Sequence, residues 1–226
     1  MFKVIILTKT SELTMAEYKA LLPMISLEKR KRIRDYRYKE DTYNSVLGEV
    51  LARVELSKIT GIGNKSLKFS TNAHGKPSLA NNTDIHFNIA YAGDCAVCAV
   101  SDEPVGIAIE QIKPIDFEIA QRFFTANETD YIKAGKQSAG FFEIWTKKEA
   151  YIKCLGKGLQ KALSSFDVLK GNRKKLMYHK VLKNDDVICH VCSAKRETPQ
   201  IEKISLHGLW DTAHDNIKTS KTRRKR

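Results

Sequence analysis

The sequence predicts an α+β protein built from two similar, pseudo-symmetric halves with a cleft between them. Short runs in which apolar residues alternate, typical of strands, are interspersed with segments whose apolar residues recur about every 3.6 positions, typical of helices. The order of these runs and segments is similar in the two halves of the chain. Its 226 residues suffice for one large domain or two small ones. A cleft between such halves is the usual place for a ligand site.

The first half, residues 1–103, begins with an apolar run that we predict to be a strand over residues 2–8. A short helix is expected over residues 14–23. Ser26 is a good helix N-cap, and the apolar residues after it follow the helical period to about Ile59, so we predict one long helix there. The sequence GIGN ends this helix. Beyond it we expect a GKP turn and two strands, at residues 75–77, 84–90 and 94–100.

The second half, residues 104–208, repeats this order. A strand over 105–110 is followed by a helix over 116–123, a short helix capped by Asn127, and a helix over about 139–154. After a GKGL turn, further strand-like runs lie at residues 165–169, 175–182 and 186–193. Residues 209–226 end in a strongly basic stretch, and we expect them to form a disordered tail.

The composition is that of an ordinary globular protein, with 42% hydrophobic and 29% charged residues. No apolar run reaches the roughly 18 residues of a membrane helix, and the first residues lack a signal-peptide cleavage site. We therefore expect a cytoplasmic protein with no membrane partner. The formal net charge of +13 favours phosphate-bearing partners, and a basic cluster at residues 28–39 lies in a helical pattern. Nucleic acid is the alternative partner that this charge suggests, but no DNA- or RNA-binding motif is present, and we do not expect it.

The five cysteines include two CxxC spacings, Cys95–Cys98 and Cys189–Cys192. Such pairs can hold zinc. Each pair here lies in an alternating apolar run, and residues three apart on a strand face opposite sides. We therefore interpret these cysteines, and Cys154, as ordinary thiols rather than as metal ligands.

The strand GIAIE raises a question about its polar face. Alternation sends Ile107 and Ile109 to one face and Gly106, Ala108 and Glu110 to the other. An apolar strand thus ends in a lone carboxylate whose neighbour on the same face is a methyl group. Either Glu110 points at water, or it is half of a site whose other half is missing.

The helix FFEIWTKKEAYIKCLGKG carries the most informative polar residues. Trp145, Glu149 and Lys153 are spaced four apart and share one helical stripe. From charge alone, an exposed Glu–Lys pair is the simpler interpretation. Combined with Glu110, however, two carboxylates and a lysine beside a cleft would suit a magnesium ion and a phosphate, because magnesium takes few carboxylates and keeps waters and substrate phosphates as ligands.

Several motifs, in this order, resemble the surfactin-synthetase-activating type of 4′-phosphopantetheinyl transferase: FSTNAHGKPSL, HFNIAYAG, VGIAIEQIKP and FFEIWTKKEAYIKCLGKGL. The resemblance covers nearly the whole chain to about Ser193, and the pairing of the last two motifs is highly specific. It implies two similar α+β halves around a cleft. It also implies transfer of the phosphopantetheine arm of coenzyme A to a serine of an apo acyl, peptidyl or aryl carrier protein, with magnesium, and release of adenosine 3′,5′-bisphosphate. Fatty acid, polyketide and non-ribosomal peptide carriers all stay open, and we expect a monomer.

The resemblance assigns roles to acidic and basic residues of the second half. It implies that Glu149 is a metal ligand and a candidate base for the carrier serine, and that Glu110 is a second acid of the metal site. Lys153 resembles the lysine that contacts the pyrophosphate. Lys148 resembles a further contact to coenzyme A.

The resemblance also assigns a phosphate pocket to the first half. Lys29 and Arg32 match basic positions for the 3′-phosphate, and Ser45 adds a hydroxyl to that pocket. Lys76, in HGKP, lies beside the adenine and phosphate. From the residues alone, a solvated helix face remains the alternative for Lys29, Arg32 and Lys148.

The sequence departs from the family pattern on the expected ligand face. The family has Asp in the position of Ala108, so the strand resembles half a site with its first carboxylate removed. The family reads NISHSG where this chain has NIAYAG, so Ala90 and Tyr91 replace the Ser and His that contact coenzyme A phosphates, and Ala92 replaces another Ser. Tyr91 still donates one hydrogen bond but carries no positive charge. The alternative function is therefore a non-catalytic descendant that binds coenzyme A or a carrier protein.

Overall fold

The apolar run at the start of the chain forms the strand around which the first sheet is built. This strand, β1 (Phe2–Thr8), pairs antiparallel with β5 (Cys95–Ser101) and parallel with β9 (Gln200–Ile204). β4 (His86–Ala92) pairs antiparallel with β5, which gives the order β4-β5-β1-β9. The structure, a computed structural model, describes residues 1–80, 84–135, 137–158, 162–170, 174–184 and 186–213.

The second sheet is antiparallel and contains the GIAIE strand at one edge. It consists of β6 (Val105–Gln111), β8 (Val187–Ser193) and β7 (Met177–Lys183), in the order β6-β8-β7. A short hairpin of β2 (Phe69–Thr71) and β3 (Pro77–Leu79) contains the HGKP turn. The strands predicted from alternation at residues 2–8, 84–90, 94–100, 105–110, 175–182 and 186–193 are confirmed within a few residues.

Each sheet is covered on one face by a long helix. α3 (Lys39–Thr60) packs on the first sheet, and α6 (Gln137–Leu155) packs on the second. The shorter helices are α1 (Met15–Leu21), α2 (Leu27–Arg32), α4 (Phe117–Phe123) and α5 (Ala126–Ala134). In the described part of the chain, no helix combines the length and the apolar character needed to cross a bilayer.

The uncovered faces of the two sheets pack against each other. Val4 and Ile6 of the first sheet share one apolar cluster with Ile107 and Ile109 of the second. The molecule is therefore layered as helix, sheet, sheet and helix, which confirms the α+β class with two halves. The pseudo-symmetry of the halves stays a prediction.

The CxxC cysteines are divided between clusters, as strand alternation predicts. Cys98 faces α3 while Cys95 lies between the sheets. Cys192 faces α6 while Cys189 lies between the sheets. Each pair therefore points to opposite faces of its strand and cannot share one ion.

The single long helix predicted from Ser26 to Ile59 is wrong. The chain leaves the helical conformation after Asp35, and Tyr36 and Tyr38 have extended backbone angles. The Ser26 backbone N–H donates to the Glu49 carboxylate at 2.7 Å, which holds α2 against α3. Tertiary packing thus overrides the local helical period. The apolar residues that follow this period reach the same core, but they do so from two separate helices.

Two smaller predictions in the second half are also wrong. The short helix α5 is capped by Thr125, not Asn127, because Thr125 and Glu128 form a reciprocal capping box. Residues 165–169 do not form a strand. There Asp167 accepts backbone N–H groups of Leu169 and Lys170, a local turn that competes with strand pairing.

The C-terminal region returns to the first half, which corrects the predicted boundary at residue 208. β9 joins β1 in the first sheet. Residues 206–213 are helical, and Leu209 and Ala213 are 1% and 0% exposed in the core beneath α3. The predicted disordered tail therefore does not begin at residue 209. Residues 214–226 lie outside the described residues.

Candidate active site

The site depends on a close approach of α6 to β6 at Gly106. A Cβ atom on Gly106 would lie 2.1 Å from the Ala150 carbonyl oxygen and 2.2 Å from the Cys154 nitrogen. Any side chain there would push the helix away from the strand. The face of GIAIE that carries Gly106, Ala108 and Glu110 is therefore the face that α6 covers.

This packing brings Glu110 and Glu149 together. Burial raises the pKa of Glu110, and the negative charge of Glu149 raises it further, whereas Lys153 and a hydrogen bond from Trp145 act in the opposite direction. The ammonium of Lys153 lies 3.2 Å from Glu149 Oε2. The predicted stripe of Trp145, Glu149 and Lys153 thus converges on Glu110, so Glu110 does not simply point at open water.

Ala108 leaves this acid pair without a third carboxylate. Its side chain is 0% exposed and packs in an apolar cluster with Ala150 and Ile152. Across the described ranges, no group of three or more His, Cys, Asp and Glu side chains could hold a metal ion. Glu110 and Glu149 are nevertheless neighbouring carboxylates, and the charge of Glu149 helps to raise the pKa of Glu110. A hard divalent cation bound between them would stabilise both negative charges. The residues present therefore fit magnesium as a partial set, with the rest of the ligands coming from phosphate and water.

A second group of predicted residues converges on the first half. Lys29 Nζ donates to Ser45 Oγ at 3.0 Å. The Tyr36 hydroxyl lies 3.4 Å from Ser45 Oγ and 3.4 Å from the Tyr91 hydroxyl. Arg32 lies on the same helix as Lys29 and lines the same cavity, of about 170 Å³.

The fold of α2 and α3 fixes this basic group. The Ser26 hydroxyl caps α2 by accepting the Lys29 backbone N–H at 3.2 Å. Glu49 on α3 accepts from the Ser26 backbone and is itself held by Arg53 at 2.8 Å. The buried Glu49–Arg53 ion pair therefore holds Ser26, and Ser26 in turn caps the helix that carries Lys29.

The electrostatics of this group favour an anion. Burial lowers the pKa of Lys29, and the positive charge of Arg32 lowers it further. Burial also raises the pKa of Tyr91 to about 12, so its hydroxyl stays protonated and able to donate. An anion bound here would relieve the repulsion between the two cations.

A continuous cleft joins the basic group to the acid pair. The second cavity, of about 300 Å³, is lined by Glu149 and Lys153 and shares Gly75, Pro77 and Asn88 with the first. Asn88 is held in place because its Oδ1 accepts the Ile107 backbone N–H at 2.8 Å. The cleft thus has one basic end and one end lined by Glu149 and Lys153, with Glu110 interacting with Glu149 beside it.

Lys76 lies in this second cavity rather than beside Lys29. Its ammonium donates to the carbonyl oxygens of Val105 at 2.9 Å and Cys154 at 3.2 Å. Burial lowers its pKa. The side chain therefore ties the hairpin of the first half to the end of α6 at the edge of the cleft.

The expected contact of Lys148 to coenzyme A is wrong, and so is the alternative of a solvated helix face. Lys148 is 0% exposed and forms an ion pair with the equally buried Glu128 at 2.8 Å. It also donates to the carbonyl oxygens of Leu163 and Phe166. Its charge is used inside the second half, away from the cleft.

Sequence reasoning missed Tyr36 and Asn88 as residues of the site. Tyr36 lies in the segment predicted to be one continuous helix, and its hydroxyl lies 3.4 Å from Ser45 Oγ only because the chain leaves the helical conformation before α3. Asn88 begins the NIAYAG motif, which was the available signal. Its role in joining β4 to β6 depends on a contact between strands that are distant in the sequence.

Comparison with known proteins agrees with this geometry. Residues 104–205 match the model of the 4′-phosphopantetheinyl transferase superfamily, and residues 12–103 match the model described as 4′-phosphopantetheinyl transferase, N-terminal. The chain is 40% identical over 159 residues to the 4′-phosphopantetheinyl transferase Sfp of Bacillus subtilis (strain 168). The aligned region covers 69% of this chain and 71% of that protein.

Other relatives give the same result. The 4′-phosphopantetheinyl transferase psf-1 of Bacillus pumilus is 43% identical over 149 residues, 65% of this chain and 64% of that protein. The 4′-phosphopantetheinyl transferase gsp of Aneurinibacillus migulanus is 40% identical over 157 residues, 68% of this chain and 65% of that protein. With both halves matched and the motif residues gathered in one cleft, the chain belongs to the 4′-phosphopantetheinyl transferase superfamily.

Proposed function

We propose that the protein transfers the 4′-phosphopantetheine arm of coenzyme A to a serine of an apo acyl or peptidyl carrier protein and releases adenosine 3′,5′-bisphosphate. The observation that carries this proposal is the polarity of the cleft. One end has Lys29, Arg32 and Ser45, and the other has Glu110, Glu149 and Lys153. Coenzyme A has a terminal phosphate at one side of its nucleotide and a pyrophosphate at the other, which matches these two ends.

At the basic end, the 3′-phosphate would bind between Lys29 and Arg32. The Ser45 hydroxyl, now accepting from Lys29, and the Tyr91 hydroxyl supply further hydrogen bonds. Charged hydrogen bonds to phosphate are about twice as strong as neutral ones, so this end anchors the nucleotide.

At the other end, the carrier serine oxygen forms a bond to the β-phosphorus, and the bond from that phosphorus to the oxygen bridging to the α-phosphate breaks. Glu149, as general base, takes the proton of the serine hydroxyl. Lys153, adjacent to Glu149 at 3.2 Å, stabilises the negative charge that develops on the departing bisphosphate. The proton and the charge therefore move between groups that the structure holds side by side.

Glu110 and Glu149 would hold the magnesium ion, with phosphate oxygens and water as its remaining ligands. When bound, the ion neutralises charge on the pyrophosphate. Ala108 supplies no ligand, and Ala90 supplies no hydrogen bond to phosphate. We therefore expect turnover and coenzyme A affinity below those of a chain with the full family motifs.

The test is to incubate the protein with an apo carrier protein, coenzyme A and magnesium, and to weigh the carrier by intact mass spectrometry. We expect a phosphopantetheine adduct, and a rate roughly a hundredfold lower for Glu149→Gln because the base is lost. Ala108→Asp should raise the rate by restoring a carboxylate beside Glu110. Binding of coenzyme A with no adduct at any enzyme concentration would overturn the transfer reaction and identify a non-catalytic descendant.

The carrier class remains part of the proposal. A peptidyl carrier of non-ribosomal peptide synthesis, a polyketide carrier and a fatty acid acyl carrier are the substrates to compare in this assay. The net charge of +13 suits an acidic carrier surface. We propose that the protein acts on its carrier as a monomer in the cytoplasm.

A further inference from the structure

Two cysteines from distant parts of the chain lie together where α6 ends on the second sheet. Cys154 is the last residue but one of α6, and Cys192 lies on β8. Their side chains are buried in the same apolar cluster. The sequence alone does not pair them, because they belong to different elements that are far apart along the chain. The proposed reaction uses neither thiol.

Gly106 of β6 is the reason that these two residues meet. It pairs directly with Cys192 across the antiparallel strands β6 and β8, so their Cα atoms are roughly 4.5–5.5 Å apart and both residues face α6. A Cβ atom on Gly106 would lie 2.2 Å from the backbone nitrogen of Cys154. Both cysteines are thus immediate neighbours of Gly106, and no side chain at that position separates them.

The two thiols interact directly, and the interaction makes them unequal. A hydrogen bond from the Cys192 thiol lowers the pKa of Cys154, and the positive charge of Lys76 lowers it further, whereas burial acts in the opposite direction. The same hydrogen bond raises the pKa of Cys192. Lys76 is held beside Cys154 because its Nζ donates to the Cys154 carbonyl oxygen at 3.2 Å. Cys154 is therefore the sulfur that ionises more readily.

The other three cysteines have a different environment. Burial is the main cause that raises the pKa of Cys95, Cys98 and Cys189. The thiolate is the form of cysteine that reacts with oxidants. Cys154 is therefore the cysteine whose surroundings favour oxidation.

The cleft gives a small oxidant a path towards Cys154. The cavity of about 300 Å³ is lined by Ile152, Lys153 and Gly156, which lie on both sides of Cys154 in the chain. Lys76 lines the same cavity. Hydrogen peroxide is neutral and little larger than water, so it fits this space.

We propose that Cys154 and Cys192 form a redox modification site, which a hydroperoxide converts into a disulfide that joins the end of α6 to β8. With hydrogen peroxide, the Cys154 thiolate sulfur bonds to one oxygen and the O–O bond breaks. The other oxygen leaves as hydroxide and takes up a proton to become water. The Cys192 sulfur then bonds to the Cys154 sulfur, and the S–O bond breaks with release of a second water. Two thiols are thus oxidised by two electrons, and one peroxide is reduced to two waters.

The disulfide would act at the edge of the cleft. Cys154 directly follows Lys153, and its carbonyl oxygen holds Lys76. Oxidation therefore fixes the end of α6 to the sheet next to two lysines of the cleft. The chemistry depends only on the two thiols and the oxidant, so it takes place whether or not the protein transfers phosphopantetheine.

The test treats the folded protein with hydrogen peroxide, blocks the remaining thiols with iodoacetamide in urea, and maps tryptic peptides by mass spectrometry. We expect two of the five thiols to be lost and a cross-linked peptide that contains Cys154 and Cys192, two hydrogen atoms lighter than its reduced parts. Its yield should exceed that of any other cysteine pair by about tenfold or more. Dithiothreitol should restore both thiols. This measurement on wild type does not depend on whether any variant folds.

Two variants assign the roles of the sulfurs. Cys192→Ala removes the thiol that closes the disulfide, so peroxide should leave a sulfenic acid on Cys154, which dimedone traps. Cys189→Ala is the matched control, because Cys189 is equally buried on β8 but lies between the sheets. Trypsin leaves Cys189 and Cys192 in one peptide, since no lysine or arginine lies between them. The control variant should keep the cross-link to Cys154.

Three results would overturn the proposal. Wild type could keep all five thiols under peroxide that fully oxidises free glutathione. The cross-link could disappear in Cys189→Ala, which would make Cys189 the partner of Cys154. Dimedone could fail to label Cys154 in folded Cys192→Ala, which would show that Cys154 is not the sulfur that attacks the peroxide.

Discussion

At the scale of single residues, Glu110 occupies a position where its charge is unfavourable in the protein alone. Burial raises its pKa above the ordinary value of 4.5, and the charge of Glu149 adds to this effect. Perturbed carboxyl groups of this kind are common at functional sites, where a bound cation reverses the penalty. We therefore expect that the ionised Glu110 carboxylate destabilises the folded protein and that its role is functional, in binding a cation.

This cost gives a pH-dependent prediction for Glu110→Gln. Below the unfolded-state pKa, about 4.5, the carboxyl is protonated in both states and carries no penalty. As the pH rises from there through the higher folded-state pKa, the unfolded state ionises first and wild-type stability is lost. The variant should therefore melt at a higher temperature than wild type at pH 7, and at a similar temperature at pH 4, as measured by circular dichroism.

Glu118→Gln is the control for this measurement, because Glu118 is exposed at the start of α4. It should change the melting temperature little at either pH. Magnesium should raise the melting temperature of wild type more than that of Glu110→Gln. Equal melting temperatures of wild type and Glu110→Gln at pH 7 would contradict the unfavourable charge.

At the scale of elements, α6 serves two different parts of the protein from its two sides. Glu149 and Lys153 face the cleft, whereas Lys148, one residue away from Glu149, is buried against α5 and the segment that follows α6. The Glu128 carboxylate that pairs with Lys148 also accepts the backbone N–H of Val168 at 2.8 Å. The buried pair thus fixes the angle at which α6 lies on β6, and with it the site.

Lys148→Met should be strongly destabilising for this reason. Removing one partner leaves the Glu128 charge buried without its cation, which costs about 3–5 kcal/mol in the free energy of unfolding. The measurement is urea denaturation at pH 7. Lys180→Met is the control, because Lys180 is largely exposed and lies 3.6 Å from Glu143, so its loss should cost about 1 kcal/mol or less.

The double variant Lys148→Met with Glu128→Leu separates charge from packing. It should recover part of the lost stability, since neither charge is then buried alone. A Lys148→Met variant as stable as wild type would show that the pair does not anchor α6.

The same region shows what sequence patterns predict and what they do not. Alternation placed Ala108 and Glu110 on one face of β6, and the helical period placed Glu149 and Lys153 on one stripe, because these are properties of single elements. The burial of Lys148 depends on Glu128, 20 positions earlier and on another helix. The break at Tyr36 depends on Glu49, which holds Ser26 from the next helix. No local periodicity encodes either contact.

At the scale of the whole molecule, the chain returns to the half where it began. β9 pairs with β1, and Lys3 on β1 contacts Glu55 of α3 and Glu202 of β9, each at 2.7 Å. Residues 206–213 then close the core beneath α3. The predicted halves are therefore correct as layers but not as continuous segments of chain, because strand and helix patterns do not specify which sheet a late strand joins.

Leu209→Ala tests whether this closing segment is part of the core. Leu209 is 1% exposed, so truncation should lower the free energy of unfolding by about 2–5 kcal/mol through lost burial and the cavity left behind. The measurement is again urea denaturation. Leu27→Ala is the matched control, since Leu27 is 71% exposed and its truncation should change stability by less than about 0.5 kcal/mol. Equal effects of the two variants would place Leu209 outside the core and restore the boundary predicted at residue 208. The expected larger effect of Leu209→Ala would make residues 206–213 a structural part of the first half.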